Sequence, residues 1–287
     1  MIETSFSSYS AGQFLLFYFL LFGFAVLSSL FIAGRLRPQG RRGDLDEALE
    51  LAYLAGGTRR VTEATLGGLL SRGAIKLTSK RKLYVVERGE GVNGPERSIL
   101  ALTGEFGLKS AFSAVEPHAD AIEDRLAARG AMMNAGERSS LKFYAAAPFL
   151  LLLAVGAWRL FAGIAQEEPV GLLLLLMALV LIAMIVRLAT ISPLTVEGDE
   201  ALERRRGVED RLRIAPRGGE MTTAVALFGT VVLVGTPIES LNAMRTAAAA
   251  DGSGGYAFDG GGSDSGSGGS DGGGGGCGGG GCGGCGG

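Results

Sequence analysis

Cysteine occurs only three times in this 287-residue chain, at Cys277, Cys282 and Cys285, all close to the C-terminal end. Thiolates are nucleophiles and soft metal ligands, so these residues carry the most evident chemistry in the sequence. Their C-x4-C-x2-C spacing matches the first three ligands of one plant-type iron–sulfur arrangement. A fourth cysteine is missing, and cluster ligands belong in a folded loop rather than a glycine coil, so the spacing itself reads as coincidence. Three thiolates can still capture Zn or Cu(I) with a fourth ligand from a partner. Closing loops in so flexible a segment limits the affinity. Flanking glycine also leaves each sulfur open to a modifying enzyme that threads a peptide. Metal capture and modification are equal readings of Cys277, Cys282 and Cys285.

No other chemistry assembles. One histidine, His118, rules out a His-rich metal centre. Beside Pro117 and without a second histidine or cysteine nearby, it reads as a surface residue rather than a ligand or base. No HExxH, nucleophile elbow or GK[ST] phosphate loop is present. Glycine matches to GxGxxG in the tail have no strand before them and no helix after. Acid pairs such as Glu167-Glu168 and Glu209-Asp210 read as solvated charge. The expectation is a protein that is not an enzyme and holds no cofactor. A net charge of -2 also counts against binding dominated by nucleic acid.

The thiols sit on residues 251–287, which hold 22 of the chain's 48 glycines together with serine and aspartate. Such a segment buries too little apolar surface to offset its ordering entropy and is expected to be disordered. What holds it must be sought upstream. After a short N-terminal segment, 1–12, residues 13–33 (QFLLFYFLLFGFAVLSSLFIA) are uncharged and long enough to cross a hydrocarbon core. No Lys or Arg precedes them, and Arg35, Arg37, Arg41 and Arg42 follow, so the run reads as a retained anchor rather than a cleaved signal peptide. Residues 145–165 and 171–191 form two further spans joined by QEEPV. Arg138, Lys142, Arg187 and Arg204 to Arg206 flank their other ends, so the positive-inside rule gives one topology. The N-terminus is outside, 34–142 inside, the QEEP turn outside and 193–250 inside. Arg159, in the second span, is expected to snorkel to the outer interface near Gln166, with Trp158 as an interfacial anchor.

Residues 221–238 decide the side of the tail. Their apolar core, 224–235, is nearer a buried element than a span, although the basic stretch before it and the acidic tail after it suit an outward crossing. A cytoplasmic or interfacial element is the favoured reading. A fourth span is the alternative, and it would carry the cysteines to the oxidising side.

Residues 44–90 have globular periodicity. Asp44 with Glu47 resembles a capping box for DLDEALELAYLAGG, ending at Gly56-Gly57, and VTEATLGGLLSRG follows from Val61. Ile75 and Leu77 read as a strand, Ser79 to Lys82 as a turn, and Leu83, Val85 and Val86 as the return strand. Helix, helix and a basic-tipped hairpin suggest a winged-helix-like unit. Its second helix offers only Arg72, late in its course, so a protein-interaction or structural role outranks DNA binding. Lys80, Arg81 and Lys82 suit phosphate or anionic-lipid contact. Residues 96–130 are expected to be helical and to pack on this unit through Ile99, Leu100, Leu102, Ala121, Ile122, Leu126 and Ala127.

An N-terminal span, LELAYLAGG at 49–57, the paired spans, AVALFG at 224–229 and a GGGCGGGGCGGCGG end together resemble an uncharacterised family of bacterial membrane proteins. The resemblance covers essentially the whole chain, with AYLAGG and AVALFG its most specific parts. It implies a plasma-membrane location, a cytoplasmic AVALFG element, and a tail comparable with precursors of ribosomally made, cysteine-modified peptides that neighbour iron-dependent modifying enzymes. It offers no catalytic residues to carry over. The expected fold is a mainly α membrane protein with three transmembrane helices, a small cytoplasmic α+β winged-helix-like domain and a disordered glycine-rich tail. The expected role is a non-enzymatic platform that presents the tail. Its partners would be membrane lipid, a protein at the cytoplasmic domain, and a modifying enzyme or metal ion at the tail. A membrane-tethered DNA-binding regulator and a structural component with a passive tail are the alternatives.

Overall fold

The uncharged runs fall within three long helices. In the computed structural model, which describes residues 11–43, 45–78, 80–87, 89, 91–165, 171–236 and 238–250, α1 (Ala11–Leu36), α5 (Ala135–Ala165) and α6 (Gly171–Ala189) are long and apolar enough to span a membrane. They pack together through Phe14, Tyr18, Ala25, Phe149, Leu152, Leu173 and Val180. Tyr18 is fully buried there, and its hydroxyl donates to the Leu152 carbonyl at 3.2 Å. At 31 residues α5 is about 46 Å long, well beyond a hydrocarbon core of about 30 Å. Its first turns, with Glu137, Arg138 and Lys142, therefore run on past the expected start of the span at residue 145.

The remaining elements build a mostly helical globular domain around α2 (Ala48–Ser71). Gly56 and Gly57 break α2 into two arms, 48–55 and 58–71. Gly57 has φ 62° and ψ −158°, a conformation that is essentially reserved for glycine. The AYLAGG stop thus acts as expected. The helix start differs. Glu47 is the N-cap and makes no side-chain cap bond. Leu45 ahead of it is buried in the core, so burial rather than a capping box fixes the approach of the chain. Asp44 lies outside the described residues.

Strands β1 (Ile75–Leu77) and β2 (Leu83–Val85) pair antiparallel, with Ile75 opposite Val85, Lys76 opposite Tyr84 and Leu77 opposite Leu83. Leu83 also exchanges two backbone hydrogen bonds with Phe106, each 2.8 Å. α3 (Gly94–Leu100) and α4 (Leu108–Ala128) follow and pack on α2. The buried stripe of α4 is Ala111, Val115, Ala119, Ile122 and Leu126, at helical spacing. Ala121, expected in that stripe, is exposed.

After α6 come α7 (Val196–Val208), α8 (Arg211–Ile214), a 3-10 turn at Gly218–Glu220, α9 (Met221–Phe228), a second 3-10 turn at Thr230–Leu233 and α10 (Ser240–Ala250). α9 lies along the second arm of α2. Val225 Cγ2 is 3.1 Å from where a Cβ on Gly67 would sit, and a Cβ on Gly68 would fall on the Thr222 hydroxyl. Met221, Ala224, Val225, Ala226 and Leu227 are all buried. The eight residues of α9 reach only about 12 Å. This segment is a core element of the domain, and among the described residues no fourth helix is long and apolar enough to span a membrane.

Three chain segments meet where the domain joins the spans. Thr195 N donates to the Ala131 carbonyl at 3.1 Å, and Met133 N donates to Pro193 O at 2.9 Å. Val196 N donates to Pro38 O at 3.0 Å, and Arg41 N donates to Gly130 O at 3.3 Å. The Thr195 hydroxyl lies 2.8 Å from Gly130 O and 3.0 Å from Ala131 O, and accepts from Gly198 N as the cap of α7. Arg37 donates to Leu194 O at 2.9 Å and pairs with Asp199 at 3.1 Å. Gly40 passes beneath this clasp with φ 80°, and a Cβ there would fall on Gly130 O and the Thr195 side chain. Gly40→Ala should therefore cost about 2 kcal/mol. The expected readout is a lowered thermal midpoint of the detergent-solubilised chain, against no change for Gly43→Ala, whose Cβ position is open.

Candidate functional site

The sequence places the candidate chemistry on Cys277, Cys282 and Cys285, which lie outside the described residues. The structure does describe the base from which their segment departs. α10 is the last described helix, and Leu241 and Met244 hold it in the core. Its polar side carries Asn242, which accepts from the buried Thr230 hydroxyl at 2.9 Å, and Arg245, which donates to that hydroxyl at 3.1 Å.

Arg245 also reaches Glu63 on α2 at 3.1 Å. Glu63 has a side chain only 5% exposed and lies 3.5 Å from Arg59 and 3.7 Å from Arg60. One buried carboxylate thus faces three guanidiniums, and one of these comes from the tail-bearing helix. Removing a buried partner leaves charge without compensation, which typically costs about 3–5 kcal/mol. Glu63→Ala is expected to destabilise the chain on that scale. In urea unfolding, Glu63→Ala with Arg245→Ala should cost less than the sum of the single changes, because both act on one cluster.

A second buried carboxylate ties α2 to α4. Glu50 is 1% exposed and accepts from Arg129 Nη1 at 2.7 Å, while Tyr53 donates to Glu123 nearby. Burial pushes the Glu50 carboxyl above its ordinary value, and Arg129 opposes this only in part. Folding therefore favours its neutral form. The stability this supplies is fully present below the ordinary carboxylate range and is lost as pH rises through the raised folded value. Thermal unfolding of Glu50→Gln against the parent chain, followed upward from about pH 4.5, should show the difference moving in the variant's favour. At the surface, Glu220 is held below the usual carboxylate range by its hydrogen bond from Arg211 at 2.6 Å.

Several residues singled out in the sequence have clear positions. Lys80, Arg81 and Lys82 are exposed at the hairpin tip, where Arg81 adopts φ 58°. Beside the hairpin a shallow pocket of about 470 Å³ is lined by Thr78, Tyr84, Val85, Leu102, Gly104 and Glu105. His118 is half-buried between α4 and α3, its Nε2 2.7 Å from Ser98 Oγ. No local pattern pointed to this partner, because twenty residues and a change of helix separate the pair. Arg159 leans over the Phe14 ring at 5.6 Å, at the end of α1 remote from the domain, while Trp158 is exposed. Gln166 lies outside the described residues. Among the described residues no cluster of His, Cys, Asp or Glu is arranged to hold a metal ion.

No family model matches the chain, and no curated protein or solved structure is significantly similar to it. The functional reading rests on the chain's own residues.

Proposed function

We propose that this protein is a non-enzymatic bacterial plasma-membrane protein whose globular domain is cytoplasmic and serves as an interaction platform. It presents Cys277, Cys282 and Cys285 on a flexible tail for modification or metal capture. The observation that carries the reading is the attachment of α10. Arg245 and the buried Leu241 and Met244 fix this helix to the same core as α2 and α4. The tail therefore leaves from the globular domain, on whichever side that domain lies. The side is inferred from charge: Arg35, Arg138, Lys142 and Arg187 cluster at the domain end of the three spans, as the positive-inside rule requires of a cytoplasmic end. The low reduction potential of that compartment keeps the thiols available.

The helix–helix–hairpin order of 48–85 supports a winged-helix-like description, with a role in protein contact rather than DNA reading. A recognition helix must lay one face in the groove. Here the second arm of α2 is buried from Arg60 through Leu69. The exposed Lys80-Arg81-Lys82 tip is free to meet acidic protein or lipid.

Two measurements on protein from its native host test the proposal. A membrane-impermeant thiol reagent should label Cys277, Cys282 and Cys285 only after lysis, and intact mass should reveal modified or metal-loaded species. Labelling in intact cells would overturn the orientation. Three unmodified, metal-free thiols under every growth condition, together with an unchanged phenotype on deleting 251–287, would leave the passive-tail structural component in its place.

A further inference from the structure

The globular domain exposes an apolar surface that its own described elements leave uncovered. Val208 at the end of α7, Ile214 on α8, and Val231 and Val234 at the second 3-10 turn are 73%, 83%, 65% and 56% exposed. α8 packs against this turn and buries Leu212. Ile214, two residues on, faces outward beside it. Four branched apolar side chains on adjoining elements are more than scattered surface residues, and such patches mark docking sites.

The chain itself names an occupant. α10 lies against the same 3-10 turn through the Thr230, Asn242 and Arg245 hydrogen bonds. The segment that follows Ala250 therefore starts only five residues, about 7.5 Å of helix, beyond a residue that touches this turn. That segment is glycine, serine and aspartate up to the cysteines, with one interruption, Tyr256-Ala257-Phe258. Asp251 to Gly255 is the only spacer, and the six steps from Ala250 to Tyr256 reach up to about 20 Å. Charge matches as well. Asp259 follows Phe258 directly, and the whole 251–287 segment carries four aspartates and no Lys or Arg. On the domain, Arg213 precedes Ile214 directly and Arg217 follows three residues later, both exposed.

We propose that Tyr256-Ala257-Phe258 docks back onto the Ile214, Val231 and Val234 surface, with Asp259 beside Arg213. Two aromatic side chains supply large apolar area at little rotamer cost. The short glycine-containing spacer keeps the closure entropy small. The cysteines are then displayed from the end of a docked aromatic anchor rather than from the end of α10. This goes beyond the role proposed for the thiols and holds whatever becomes of them.

Hydrogen exchange of the full-length protein in zwitterionic nanodiscs tests it. Amides 256–259 are expected to exchange at least tenfold more slowly than their unprotected rates, while those of 272–276 exchange freely. Phe258→Ser should abolish the protection, and so should Ile214→Ser combined with Val231→Ser. The latter positions are exposed, so an unchanged thermal midpoint will show that the fold is intact. Asp259→Arg should weaken the protection, and adding Arg213→Asp should restore it. Unprotected amides at 256–259 would overturn the proposal, as would protection indifferent to the Ile214 and Val231 changes. Protection that scales with protein concentration would assign the surface to a second copy, and protection that needs anionic lipid would assign it to the membrane. Either result overturns the intramolecular docking.

Discussion

The hydrogen-bonded clasp at Thr195 is the constraint on which the rest of the molecule depends. Three segments that are far apart in sequence, around Gly40, Gly130 and Thr195, leave or enter the three apolar helices and are joined by backbone hydrogen bonds at one level. Neither the helical bundle nor the globular core could impose this registration alone, because each is connected to the other only through these segments. Thr195 closes the clasp with its backbone and hydroxyl together and also caps α7. A buried hydroxyl with two carbonyls and an amide in reach is fully satisfied, which is what makes so polar a crossing stable next to apolar helices.

The clasp fixes what the charges can do. Of the three buried carboxylates among the described residues, Glu96 lies on α3 and pairs with Arg72, while Glu50 and Glu63 lie on α2, one in each arm. Their guanidinium partners come from distant places: Arg129 at the end of α4 and Arg245 on α10. Burying such groups is costly in itself, so the pairs contribute little net stability. Leaving either partner without the other is expensive, which makes the pairs selective for the one arrangement in which α4 and α10 both reach α2. The break at Gly56-Gly57 allows the two arms to point their acids at different neighbours.

What the sequence disclosed and what it hid follow from the same physics. The three spans and the 75–85 hairpin were legible because their signals are local: an uncharged run, alternation, and a polar turn. The Gly56-Gly57 break was legible for the same reason. The role of α9 was only half legible. An element buried along most of its surface has no polar face and so no periodicity, and MTTAVALF could have been core or span until Gly67 and Gly68 were seen to admit it against α2. The start of α2 was legible only approximately: the helix begins at Ala48 with Glu47 as an N-cap that makes no side-chain bond, and Leu45 ahead of it is buried. The Ser98–His118 contact and the Arg245–Glu63 pair were hidden entirely, since each depends on tertiary neighbours with no shared spacing, whereas Arg59 and Arg60 stand at helical spacing from Glu63. At the candidate site, residue type alone identified the cysteines. Their anchoring through α10 became visible only with Arg245 and Glu63 brought together.

The architecture also bears on why thiols at the end of a glycine segment need so much scaffold. With the α1–α5 connection and the chain after α6 folded into one core, the proposed three crossings put the start of α1 on one side of a membrane and the globular domain with α10 on the other, whatever the orientation. The chemistry open to Cys277, Cys282 and Cys285 then turns on a single variable, the side on which the clasp lies. Charge supplies that variable: arginine and lysine crowd the clasp end of all three helices, whereas the connection between α5 and α6 contains two glutamates and no base. The positive-inside rule counts the cations close to the ends of a span, and Arg35, Arg37, Arg138, Lys142 and Arg187 all stand there, so they favour the proposed orientation. Under the proposed orientation the thiols stay reduced without any local device to keep them so.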